Sequence, residues 1–173
     1  MKNITKLAVF DFDGTLVDSP LPDTGKQEYQ EKTGQPWPHK GWWGRADSLD
    51  HTIFDIPVIP NVIADYKKQK ADSETGVIML TGRMEALRDK VMEVLSKHGL
   101  VFDGYFFNRG GSTDEAKKKT LDRILADNPN ITSVEMWDDR QEHIPIFEAW
   151  GKEKMEEGRL TNFHINVVPA GRH

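Results

Sequence analysis

The chain contains no cysteine. That absence removes disulfide bonds, thiol nucleophiles and cysteine-held zinc or iron–sulfur centres from consideration. Its six histidines show no His-Glu-x-x-His or comparable spacing, so they point to no zinc site. No apolar run approaches the length of a membrane span. Met1 to Lys6 pass into a strand-like run with no signal-peptide core. A cytoplasmic location and no membrane partner are therefore expected. Positive charge is scarce too: 23 Lys and Arg stand against 28 Asp and Glu, a net charge of −5. This argues against a protein that coats duplex nucleic acid by charge alone, yet leaves room for a basic pocket aimed at one phosphate. Repeats and low-complexity tracts are missing, and no stable protein partner is inferred.

What is present suits one domain, residues 1–173, with a real core: 37% of residues are hydrophobic and 29% charged. Five apolar runs read as buried strands. They are Leu7–Phe10, Val77–Leu80, Tyr105–Phe107, Val134–Trp137 and Phe163–Val168, the last before Pro169 and Gly171. Helical periodicity lies between them. Pro60 opens one helix, with Val62, Ile63 and Tyr66 as its apolar stripe. Met84–His98 carries Leu87, Val91, Val94 and Leu95 and stops at Gly99. Ser112 and Glu115 have capping-box spacing ahead of Leu121, Ile124 and Leu125. Pro145 opens the last helix, which Gly158 ends. Strand–helix alternation predicts an α/β fold, a doubly wound parallel sheet of Rossmann type. Residues 18–59 break the alternation with prolines, glycines, Trp37, Trp42 and Trp43, and predict a small loop-rich insertion after the first strand.

Each strand-like run ends in residues capable of chemistry, on the sheet edge where α/β folds collect ligands. The first ends in Asp11-Phe12-Asp13-Gly14-Thr15. One carboxylate there can attack phosphorus while the other handles protons, and Gly14 and Thr15 let the chain wrap an anion. The second ends in Thr81-Gly82-Arg83, a hydroxyl and backbone N–H groups suited to an anion, with a helix expected directly after. The fourth ends in Trp137-Asp138-Asp139-Arg140, which offers hard oxygen ligands of the kind Mg²⁺ takes. Between them stand Lys117, Lys118 and Lys119. At 100° per residue only Lys117 shares the stripe of Leu121 and Ile124, so it alone should reach the sheet edge.

These motifs, in this order, resemble those of the haloacid dehalogenase (HAD) superfamily. Thr-Gly-Arg and Asp-Asp-Arg resemble the forms in polynucleotide 3′-phosphatase domains. With Trp42-Trp43 and Trp-Asp-Asp-Arg-x-x-His-Ile they are similar to the HAD-like domain of "Swiss army knife" RNA-repair proteins. The resemblance implies a HAD-type phosphatase that uses Mg²⁺ and an aspartyl-phosphate intermediate. It implies Asp11 as nucleophile and Asp13 as general acid and base. Thr81, Gly82, Arg83 and Lys117 would bind the phosphate. Asp11, Asp13 through its backbone carbonyl, and Asp138 or Asp139 would hold the metal; which of the last pair touches it directly stays open. Residues 18–59 occupy a cap position in that superfamily and would form a lid or flap. The expected substrate is a phosphorylated small molecule or nucleic-acid end, with a nucleotide or nucleic-acid terminal phosphate favoured. A sugar phosphatase and a non-catalytic phosphate-binding module are the rivals. Arg83 can be a phosphate clamp or a surface residue, and Arg140 a tie for its loop. The three tryptophans can form a mini-core or offer one ring to a base.

Overall fold

Alternate residues of β1 (Lys6–Phe10) go to opposite layers, and this parity organises the molecule. Leu7 and Val9 join Ile78, Leu80, Val134, Met136 and Ile165 in one apolar cluster. Ala8 and Phe10 join Val77 and Met79 in the other. The computed structural model describes residues 3–169. After β1 come α1 (Pro22–Thr33), α2 (Pro60–Lys70), β2 (Thr75–Met84), α3 (Arg88–Lys97) and β3 (Gly104–Asn108). Then follow α4 (Thr113–Asp127), β4 (Ser133–Asp138), α5 (Ile144–Glu156) and β5 (Asn162–Val167). The five strands form one parallel sheet in the order β3-β2-β1-β4-β5. Val62 and Tyr66 of α2, with Val91, Val94 and Leu95 of α3, cover one face. Leu121, Ile124 and Leu125 of α4, with Phe147 and Trp150 of α5, cover the other. This is the expected doubly wound sheet with helices on both sides. No helix among the described residues is long and apolar enough to cross a membrane.

Local details depart from the sequence reading at three points. Residues 18–59 are not all loop: α1 lies within them, and its buried residue is Gly25. The second strand runs on to Met84, so α3 begins at Arg88 after a 3₁₀ turn at Glu85–Leu87. Thr81 therefore sits in strand, not at a helix N-terminus. Ser112 occupies the N-cap of α4 with extended backbone but makes no side-chain cap bond; its hydroxyl engages Asp114 instead. Gly171, expected just past the last strand, lies outside the described residues.

Candidate active site

The strand order reverses at β1, whose neighbours are β2 on one side and β4 on the other. The carboxyl ends of β1 and β4 thus meet at the topological switch point, where open α/β sheets leave a crevice. The register Phe10↔Trp137 brings Asp11 and Asp138 side by side. The Asp11 N–H donates to the Trp137 carbonyl at 3.0 Å. Beyond it the chain turns hard: the N–H groups of Thr15, Leu16 and Val17 all point to the Phe12 carbonyl, at 3.3, 3.1 and 3.3 Å. Gly14 makes the turn at φ 73°, a left-handed conformation costly for any residue with a Cβ. Thr15 Oγ1 donates to Asp11 Oδ2 at 3.2 Å.

Helix α4 turns its apolar stripe to the sheet and carries Lys117 with it. Lys117 is 2% exposed, whereas Lys119 is exposed. The Lys117 ammonium lies 2.9 Å from Asp11 Oδ1 and 2.9 Å from Asp138 Oδ2. The other Asp138 oxygen accepts the Arg140 N–H at 3.0 Å. Burial pushes the Asp11 carboxyl well above its ordinary range; Asp138 adds to this and Lys117 opposes it. Burial likewise pushes Asp139 up to about 6, with Asp138 adding and a hydrogen bond with Asp11 opposing. Burial works against charge on Lys117, but Asp11 and Asp138 overcome it and raise its proton affinity.

One oxygen from each of Asp11, Asp138 and Asp139 falls within 4.8 Å of the others. Three carboxylates driven together against their own repulsion make a hard donor set that fits a divalent cation. Asp139 faces the cavity, while both oxygens of the buried Asp138 already accept donors.

Arg83 does something the sequence did not reveal. Its side chain is 1% exposed, and its fork grips Asp13: Nε to Oδ2 and Nη2 to Oδ1, both 2.8 Å. Ser19 Oγ donates to the same Oδ1 at 2.6 Å. The remaining nitrogen, Nη1, donates to the Trp43 carbonyl and Ser48 Oγ, both at 2.8 Å. Arg83 can turn inward because the β2–β3 pairing jumps from Leu80↔Phe106 to Met84↔Asn108, bulging the intervening residues from the ladder. Thr81 Oγ1 accepts the Arg83 N–H at 3.1 Å and is buried behind the cavity. Gly82 lies against the start of α4: a Cβ there would sit 2.5 Å from Thr113 Cγ2.

These groups surround one cavity of about 300 Å³, lined among others by Asp11, Asp13, Gly82, Arg83, Lys117, Asp139 and Arg140. The structure thus gathers every sequence-derived candidate at one sheet edge, with Thr81 and Asp138 just behind the surface. Ser19, Ser48 and Thr113 were not singled out from sequence, and a lone Ser or Thr in a loop gives no signal for such a role. Arg140, read as a tie for its loop, donates to Glu142 at 2.7 Å and lines the cavity as well.

Four likenesses to known proteins bear on this chain. The solved Pnkp1/Rnl/Hen1 complex contains a chain with a TM-score of 0.60 and 19% identity, over 100% of this chain and 48% of that one. The HAD domain of effector protein Lem4 from Legionella pneumophila gives 0.55 at 11% identity, over 99% and 90%. Both likenesses concern the fold. The uncharacterized protein YMR265C of Saccharomyces cerevisiae is 28% identical over 172 residues, 85% of this chain. The chain spans 37% of that relative's length. Residues 32–173 match the model of HAD domain family 1 in Swiss Army Knife RNA repair proteins. With that match over most of its length, this chain belongs to the HAD domain family 1 of Swiss Army Knife RNA repair proteins.

Proposed function

We propose that the chain is a Mg²⁺-dependent phosphomonoesterase acting on a nucleotide or a nucleic-acid terminal phosphate. The observation that carries this reading is the buried Lys117 ammonium shared between Asp11 and Asp138 on the cavity floor. A nucleophilic carboxylate beside a fixed cation and a cluster of metal-competent carboxylates is what phosphoryl transfer asks of a protein. Membership of a HAD family supports the hydrolase class.

In the first half-reaction an Asp11 oxygen forms a bond to phosphorus as the bond to the leaving oxygen breaks. Asp13 gives its proton to that oxygen. In the second, water attacks phosphorus and passes a proton to Asp13, the Asp11–phosphorus bond breaks, and inorganic phosphate leaves. Donors from Arg83 and Ser19 fix the orientation of the Asp13 carboxyl group. Arg83 is therefore a positioning residue for Asp13. Phosphate charge falls to Lys117, with Arg140 at the cavity wall. Asp11, Asp139 and the Asp13 carbonyl would hold the cation, with Asp138 anchoring Lys117. The cation would offset repulsion between the anionic nucleophile and the anionic phosphate. Residues 18–59 act as a small lid, which leaves the mouth open to bulky esters.

The test is phosphate release from a panel of nucleotides, 3′-phosphorylated oligonucleotides, sugar phosphates and an aryl phosphate, with and without Mg²⁺. Release that needs Mg²⁺ and disappears in Asp11→Asn is expected. A preference for sugar phosphates would overturn the substrate class, and no release from any ester would overturn the reaction.

A further inference from the structure

Three tryptophans within seven residues have different fates. Trp42 is 3% exposed; its ring lies over Gly25 and edge-on to Phe54, and its Nε1 donates to the Pro20 carbonyl. Trp37 packs on Trp42 and Tyr29 and donates to the Gly41 carbonyl. These two are the mini-core of the segment. Trp43 is 42% exposed and Met84 43%, and both line the cavity. With Leu21 and Gly44 they supply apolar surface to a cavity that Asp11, Lys117 and Asp139 also line. Neither side chain is needed to close the core.

The Trp43 ring is also fixed in place. The Arg83 guanidinium lies over it, 5.1 Å from the ring centroid, and holds its carbonyl. The same guanidinium grips Asp13. The ring is thus referenced to the group that protonates the leaving oxygen. Whatever is bonded to that oxygen must emerge on the Asp13 side of the cavity, beside Trp43. A flat aromatic surface there, backed by a cation and with a polarizable thioether lining the same cavity, suits a planar heteroaromatic ring.

We infer that Trp43, with Met84, is a stacking platform for the nucleobase of the leaving nucleoside, and so sets preference for nucleotide esters over aliphatic ones. This rests on the phosphomonoesterase reading above. Binding separates the two. Asp11→Asn, which cannot turn over, is titrated calorimetrically with a nucleoside 3′-monophosphate, a 3′-phosphorylated dinucleotide and glycerol phosphate. Adding Trp43→Ala should weaken both nucleotide ligands about tenfold to a hundredfold, the range for losing one stacked base, and glycerol phosphate far less. Trp43→Phe should restore most of the loss. Gly44→Leu is a second probe: a Cβ at Gly44 meets nothing within 4 Å, so the variant should fold while crowding the platform, and it should show the same selective loss. Equal weakening of all three ligands, or none, overturns the platform even if the wild type releases phosphate. A selective loss in a protein that releases none supports the platform and overturns the reaction. A larger loss for the dinucleotide than for the mononucleotide identifies a strand end as the ligand.

Discussion

Replacing Lys117 by methionine removes one ammonium from a pocket holding three carboxylates. Asp11 and Asp138 each lie 2.9 Å from that ammonium, and their side chains are 9% and 1% exposed. Removing one partner of a buried ion pair costs about 3–5 kcal/mol, because the other charge stays desolvated and unpaired. For a chain of this length about 2–4 °C of melting temperature accompanies each kcal/mol, so a fall of roughly 6–20 °C at pH 7.5 is expected. The penalty should shrink with acidity. Burial already lifts Asp11 above its ordinary range, and without the ammonium it takes up a proton more readily still. Urea unfolding followed by tryptophan fluorescence at pH 7.5 and pH 5 measures both effects. Lys119→Ala, at an exposed position on the same helix, should stay within about 0.5 kcal/mol of wild type. Phosphate release in Lys117→Met should fall about 10²–10³-fold, as for loss of one preorganised donor to the reacting group. Equal stability and activity of the Lys117 and Lys119 variants would refute the reasoning.

Further outcomes follow from the same geometry. Arg83→Gln should lower kcat strongly with little change in KM, since its fork serves Asp13; a rise in KM with kcat intact would make it a phosphate clamp instead. Asp139→Asn should be more stabilising in metal-free protein at pH 8 than at pH 5. The folded carboxyl is raised to about 6, so its contribution is present below the unfolded value and lost as pH rises through 6. His143, held below its ordinary range by burial and Arg140, acts in the opposite sense, so the difference between variant and wild-type melting curves across pH is the quantity to follow. Gly82→Ala should reduce both stability and activity, because its methyl must displace Thr113 at the start of α4; wild-type values for both would show that this approach can relax. Asp13→Asn should abolish turnover while calorimetry still detects Mg²⁺ binding.

The sheet was legible because each strand carries a short apolar run followed at once by Asp, Thr, Asn or Pro. Lys117 was legible because helical geometry orients one lysine of three. The grip of Arg83 was not, since its partners come from Asp13, Trp43 and Ser48, far apart in the chain and joined only when the segment after β1 folds over the sheet edge. Helix α1 escaped notice because its sequence is almost wholly polar, so no apolar stripe marks it; it meets the core through Gly25 under Trp42 and through Tyr29. The tryptophans share one composition signal, and only their packing separates Trp43 from Trp37 and Trp42. The extension of β2 to Met84 was hidden because Thr-Gly-Arg reads as a turn, while the bulge against β3 keeps it extended.

The Phe10 and Trp137 rings lie parallel, 4.2 Å apart and 10° from coplanar, one residue before Asp11 and Asp138. Neither ring belongs to the cavity lining, yet together they pin how far one strand can slide against the next. A slip of one residue would carry one carboxylate about 3.3 Å along the sheet and reverse the side on which it emerges. The tolerance of the chemistry is thus set one layer beneath it, and substitutions at these buried aromatic positions should cost core stability and activity together.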